Sequence, residues 1–251
     1  MNLETATIEI PTADGTADAL LAIPSEGGPH PGVLLYMDAF GPRPRLAEMA
    51  ARIASEGYVV LVPNVFYRHG AAPLVDTSKL TEPDGRGKLF ATLGPYMQAL
   101  TPELAMRDAG AYLAWLEQDA RVADGPVGTT GYCMGGALAL RTAAAYPDRV
   151  AAAASFHGGR LATDAEDSPH RLVGSITGEV YVAHADNDGS MPPEQQVALE
   201  AALSEAGVTH LCELYEGAAH GFTMSDTAAY DEAATKRHWD RLLHLLSRTL
   251  G

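Results

Sequence analysis

The chain has 251 residues and a formal net charge of −15, from 17 basic and 32 acidic side chains. Its length allows a substantial buried core, and 47% hydrophobic with 20% charged residues is the composition of a folded globular protein rather than a disordered one. The acidity argues against a nucleic-acid binder, which needs a basic face for phosphates.

In chain order, Thr5–Ile10 and Ala19–Ile23 read as strands on either side of the turn at Ala13-Asp14-Gly15. Gly32–Asp38 is a continuous apolar run, the mark of a strand buried on both faces. Arg45–Glu56 carries Leu46, Met49, Ala50 and Ile53 at helical spacing, with Gly57 as a stop. Tyr58–Val62 is the next buried strand, closed by Pro63. Residues 64–100 are the least regular part, rich in Gly and Pro, with short helical patches at most; loops of this length often serve as lids or binding loops. Thr101-Pro102-Glu103 opens a helix that runs to about Gln118, with a hydroxyl cap, a proline in the first turn and an early acid.

Strands at Pro126–Thr130, Arg149–Phe156, Val180–Ala185 and His210–Tyr215 then alternate with helices at Cys133–Tyr146 and Glu194–Glu205. An amphipathic helical segment from about Thr227 to Leu250 ends the chain. Regular alternation predicts an α/β fold, a doubly wound, mostly parallel sheet with helices on both faces, in a single domain over residues 1–251. The N-terminal stretch lacks the basic region and apolar core of a signal peptide, and no apolar run approaches the roughly 20 residues of a membrane span. The expected location is the cytoplasm.

The segment that carries chemistry is Gly131-Tyr132-Cys133-Met134-Gly135, a G-x-C-x-G between a predicted strand and a predicted helix. That is the setting of a nucleophile elbow with cysteine in the usual serine position. The tight turn requires neighbours without side chains at Gly131 and Gly135, and the helix start favours a thiolate. The N–H of Met134 is placed to donate to an oxyanion. A buried cysteine on a glycine turn has a purely structural reading as well, so the partners decide. In such a triad the acid and then the histidine follow the nucleophile along the chain. Val182–Pro192 runs a strand into an acidic turn, offering Asp186 or Asp188 as the acid. His220 sits in the small-residue loop Gly217-Ala218-Ala219-His220-Gly221, with no packing reason to be there. His184 reads as a core or wall histidine, and His157 as a structural or pocket-bordering one. No His, Asp or Glu cluster has metal-ligand spacing, HEXXH and CxxC are absent, and no phosphate-binding GxGxxG is present, so neither metal nor cofactor is expected.

Together these residues resemble the dienelactone hydrolase family of α/β-hydrolases, from about Gly32 to the C-terminal helix. The markers are Met37-Asp38-Ala39-Phe40-Gly41, Pro63-Asn64-Val65-Phe66-Tyr67-Arg68, Gly131-Tyr132-Cys133-Met134-Gly135-Gly136, Asp188-Gly189-Ser190-Met191-Pro192 and Ala219-His220-Gly221-Phe222. The resemblance implies an α/β-hydrolase sheet of about seven or eight strands. It also implies ester or lactone hydrolysis of a small molecule by a Cys133–Asp188–His220 triad, with Asp188 preferred for standing four residues before Pro192. It places a second oxyanion donor on the N–H of Ala39 and a thiol-activating carboxylate at Asp38, where well-known members carry glutamate. Those members also carry a substrate-gripping arginine where this chain has Met224. The expected substrate contacts are therefore Tyr67, Arg68 and Met224, with Arg86 and Lys88 as further cations. No nucleic acid, membrane or obligatory protein partner is expected. The rival readings are a general esterase or acyl transferase, and a binding or thiol-sensor protein on a hydrolase fold.

Overall fold

The computed structural model describes residues 2–82 and 84–251, with the side chains of Thr81 and Arg86 outside the described part. The chain divides into two compact units, one of residues 1–125 with 226–228, the other of residues 126–225 with 229–251.

In the first unit β1 (Leu3–Thr12) and β2 (Gly15–Pro24) form an antiparallel hairpin, Thr12 opposite Gly15. β2 also pairs antiparallel with β4 (Val59–Pro63), and β4 pairs parallel with β3 (Gly32–Tyr36). All residues of β3 and β4 are buried, as their unbroken apolar runs require. Helix α1 (Pro44–Ala54) buries Leu46, Met49, Ala50 and Ile53, the stripe read from the sequence. Helix α3 (Pro102–Gln118) begins at Thr101, whose hydroxyl accepts from the Leu104 N–H at 3.3 Å.

One element of this unit departs from expectation. Residues Gly85–Ala99 form a 15-residue helix, α2, inside the stretch read as irregular. It has Gly85, Gly87, Gly94 and an internal Pro95, all poor helix formers, and no clean apolar stripe. Tertiary packing stabilises it instead: Leu89 and Leu93 pack with Phe40 and Leu80, with Phe90 and Tyr96 alongside.

In the second unit β5 (Val127–Tyr132), β6 (Val150–Phe156), β7 (Glu179–Asn187) and β8 (His210–Ala219) are parallel and adjacent in that order. Between them come α4 (Met134–Ala145) and α5 (Pro193–Glu205), and α6 (Glu232–Leu250) follows β8. Side chains alternate across the strands. Tyr132 and Phe156 turn toward His238 of α6, whereas Gly131 and Ser155, one residue earlier, turn toward the glycines of α4. Helices therefore cover both faces of these strands. Helix α6 starts later than its sequence pattern suggests, with the Asp231 carboxylate accepting from the Ala234 N–H at 2.8 Å. Among the described residues no helix is long and apolar enough to cross a membrane.

The parallel direction has a local consequence. The carboxyl ends of β5, β6, β7 and β8 lie along one edge, the edge where ligands bind in open α/β sheets. Each delivers a chemically capable residue just at or past its end: Cys133, His157, Asp188 and His220.

Candidate active site

Cys133 stands between β5 and α4 with φ 57° and ψ −122°, a conformation that residues with a side chain rarely adopt. Such strain persists only where the surroundings enforce it. Here the Cys133 N–H donates to the Phe156 carbonyl at 3.1 Å and to Nδ1 of His157 at 3.2 Å, and its carbonyl accepts from the Gly136 N–H at 3.1 Å. The turn is tight enough that a Cβ on Gly131 would lie 1.9 Å from the Gly135 carbonyl oxygen. A Cβ on Gly136 would lie 2.2 Å from Oγ of Ser155. Side chains are thus excluded at Gly131 by the turn and at Gly136 by helix-to-strand packing. Met134 is the first residue of α4, where backbone N–H groups point away from the helix body.

His220 follows β8 in the loop of small residues, and its Nδ1 bonds Oδ2 of Asp188 at 2.7 Å. Asp188 is itself fixed: Oδ1 accepts from the Ser190 N–H at 2.8 Å and from the Ser190 hydroxyl at 2.6 Å. The Cys133 side chain acts on the same imidazole and favours its charged form. Burial opposes a charge on His220. The bond to Asp188, the Cys133 side chain and the negative charge of both outweigh it and raise the imidazole to about 10. Burial likewise disfavours the Asp188 carboxylate, but the bonds from His220 and Ser190 leave it below its ordinary value. The structure therefore brings Cys133, His220 and Asp188 together. Asp186 is exposed and accepts from the Gly217 N–H at 2.9 Å, shaping the adjacent turn.

Several side chains have other surroundings. His184 is buried among the described residues with no hydrogen-bond partner, and burial lowers its imidazole to about 4, so it is a neutral wall residue. Cys212 lies in β8, where burial pushes its thiol up to about 12. Met224 is 1% exposed. In the first unit both oxygens of Asp38 are held by the guanidinium of the buried Arg43, at 2.6 and 2.8 Å, and Oδ1 also accepts from the Phe40 N–H. Arg43 in turn bonds Asp226 at 2.5 Å. Ala39, next to Asp38, is fully buried. The guanidinium of Arg68 lies over the Tyr67 ring, grips Asp108 through two bonds of 2.7 and 2.9 Å and pairs with Asp14. The Tyr67 hydroxyl donates to Asp108 at 3.1 Å and accepts from Thr12 at 2.7 Å. Both are thus held by first-unit partners. Lys88 is exposed on α2, and the Arg86 side chain lies outside the described residues.

Sequence reasoning did not find Ser190, Thr223 or Arg43. Ser190 grips the candidate acid, and Thr223 holds His157 through Nε2 at 2.8 Å. The only signal for any of them was position: Ser190 two residues after Asp188, Thr223 three after His220 and Arg43 five after Asp38.

The strand-elbow-helix unit, with the acid and histidine on later loops, defines an α/β-hydrolase. The chain superposes on a candidate dienelactone hydrolase from Klebsiella pneumoniae with a TM-score of 0.85, covering 98% of this chain and 99% of that one at 22% identity. The model of the dienelactone hydrolase family matches residues 17–250, and the chain belongs to that family of hydrolases. It is 29% identical to a carboxymethylenebutenolidase of Rhodococcus opacus over 90% of this chain and 84% of that one. It is also 27% identical to a candidate carboxymethylenebutenolidase of Synechocystis sp., over 100% of this chain and 99% of the relative.

Proposed function

We propose that the protein hydrolyses esters or lactones of small molecules through a thioester on Cys133. The observation that carries this reading is the 2.7 Å bond from His220 to Asp188, with Cys133 on the strained turn acting on the same ring. Nδ1 of His220 is committed to Asp188, which leaves Nε2 for the sulfur. The reaction's proton rests on Nε2, and Asp188 holds this imidazolium in place beside the sulfur.

The thiolate attacks the acyl carbon, forming a C–S bond while the carbonyl electron pair moves to oxygen. The N–H of Met134 stabilises that oxyanion. As the pair returns, the C–O bond breaks and the leaving alkoxide takes the proton from Nε2. Water then gives a proton to Nε2 and attacks the thioester. Collapse releases the carboxylic acid and restores the sulfur, with no cofactor entering the sequence.

The reading extends to the kind of acyl group. A free carboxylate on the substrate needs a cation, and the two buried or half-buried arginines nearest in sequence to the motif residues are already neutralised. Arg68 is held by Asp108 and Asp14, and Arg43 by Asp38 and Asp226. Position 224 supplies a buried thioether. The preferred substrates are therefore uncharged lactones or short aryl esters. A missing charge-assisted hydrogen bond is worth roughly 1.5–3 kcal/mol, about ten- to a hundred-fold in affinity.

The test is turnover of a panel of small lactones, aryl esters and carboxylated lactones beside a Cys133→Ala control. Iodoacetamide should abolish turnover and label Cys133 ahead of Cys212, whose half-buried thiol resists ionisation. Full turnover by Cys133→Ala would overturn the mechanism. A strong preference for the free acid over its methyl ester would overturn the substrate class.

A further inference from the structure

His157 lies just past β6, at the same edge as the candidate nucleophile, and is 1% exposed. Its backbone is left-handed, φ 41°, with the N–H fixed to the Ala183 carbonyl at 2.9 Å. Its ring has work at both nitrogens. Nδ1 lies 3.2 Å from the Cys133 backbone nitrogen, and Nε2 lies 2.8 Å from Oγ1 of Thr223. A backbone N–H only donates, so Nδ1 must be the bare, accepting nitrogen. The proton of the neutral ring is then on Nε2 and is donated to Thr223. The opposite tautomer, or a protonated ring, would set N–H against N–H at the elbow.

The same ring meets the edges of two neighbours from the histidine loop: His220, with centroids 5.2 Å apart, and Phe222, at 5.0 Å. One buried side chain therefore touches the strained nucleophile turn, the candidate base and the loop that carries it. The loop and the elbow are 87 residues apart in sequence, from Cys133 to His220. A structural filler needs none of these three directed contacts.

We infer that His157 is a positioning residue, held as the neutral Nε2–H tautomer, that fixes the Cys133 turn relative to the His220 loop. The inference rests on the thiol mechanism proposed above. It acts through the geometry of sulfur and imidazole, so its loss lowers the rate of thiol attack and leaves substrate binding in place. The Cys133 N–H retains the Phe156 carbonyl as an acceptor. The expected effect is accordingly that of one hydrogen bond, about tenfold in rate.

Two substitutions separate the nitrogens. In His157→Asn the amide oxygen takes the place of Nδ1, and asparagine tolerates positive φ. In His157→Gln the amide nitrogen reaches the place of Nε2 and the acceptor for Cys133 is lost. Thr223→Val removes the far acceptor, and Thr223→Ser keeps it. With a neutral aryl ester, His157→Gln and Thr223→Val should each lose about tenfold in kcat and in the rate of Cys133 alkylation, with KM unchanged. Thr223→Ser should stay within about threefold of wild type, and His157→Asn, which keeps the acceptor for Cys133 but gives up the bond to Thr223, should lose less than His157→Gln. Nitrogen-15 spectra of the wild-type chain should report a bare Nδ1 and a protonated Nε2 on His157.

Equal losses in the Asn and Gln variants that follow Tm would reduce His157 to a packing residue. A proton found on Nδ1 would overturn the assignment without any variant. Retained turnover in Cys133→Ala would overturn the proposed function and this inference with it. If that control is inactive, a failure in the His157 series is a failure of the positioning role alone.

Discussion

His220 sits where burial and hydrogen bonding oppose each other, and the balance has a measurable sign. Asp188 and Cys133 outweigh desolvation and hold the imidazolium up to about 10. In the thiol mechanism proposed above, the proton that His220 gives the leaving group is lost only as pH rises through that value, so kcat/KM should have its basic limb near pH 10. Asp188→Asn removes an anion that raises His220, so the limb should move to lower pH while kcat falls by orders of magnitude. A limb that stays near 10 in the variant would show that Asp188 does not govern His220. At Asp38 the expectation concerns stability. Removing one partner of a buried ion pair costs about 3–5 kcal/mol, whereas replacing both by apolar or neutral groups is often close to neutral. Asp38→Asn should therefore lower the urea midpoint more than the double change Asp38→Asn with Arg43→Met. Asp188 and His220, which the structure brings together, were legible in the sequence as candidates because each follows a strand in a short, distinctive loop. Ser190, Thr223 and Arg43 were not, because one polar residue in a loop has no periodicity and its partner is chosen only by folding.

Two helices, α3 and α6, have their starts held by side-chain caps, and both caps can be weighed. The Thr101 hydroxyl holds the start of α3 and the Asp231 carboxylate the start of α6. Thr101→Ala and Asp231→Ala should each cost about 1 kcal/mol in urea unfolding, with unchanged dependence on denaturant. The Thr101 cap was readable from the hydroxyl-proline-acid series, and the strands from their apolar runs. Helix α2 was not readable, because the signal for a helix is its stripe and α2 packs Leu89 and Leu93 without one. In α6 the apolar spacing was visible, but Asp231 sets its start later than the pattern alone suggested. The side of β8 facing α6 has its own clamp. Glu213 accepts from Arg237 and Arg241 of α6 and from the hydroxyl of Tyr181 on β7. Burial resists that charge, yet the three donors hold the carboxyl down to about 2. Acid should reach it only at the lowest pH, after ordinary carboxylates have been protonated.

Over the whole molecule the net charge of −15 acts at a distance on any charged substrate. Repulsion slows the approach of an anion at low ionic strength and fades as the Debye length shrinks to about 8 Å near 0.15 M salt. Adding salt from 0.01 to 0.3 M should raise kcat/KM for a carboxylated ester and leave that for its methyl ester flat. A parallel response of both would place the salt effect in the site rather than in the field. Strand and helix alternation was enough to predict the α/β class, since buried strands and striped helices leave periodic marks. The pairing order of the strands leaves no such mark, and it is that order which sets β5, β6, β7 and β8 side by side.

The contrast between the two sulfurs has a further consequence. Cys133 faces an imidazolium, while the half-buried Cys212 in β8 has its thiol pushed up to about 12 by desolvation. Peroxide reacts with thiolates, so oxidation should strike Cys133 and spare Cys212. The protonated second thiol is a poor resolving nucleophile, and a sulfenic acid on Cys133 therefore has no internal disulfide to retreat into. Mild peroxide should silence the enzyme in proportion to loss of one thiol. Prompt addition of a small thiol should restore it, and delay should make the loss permanent as sulfinic acid accumulates.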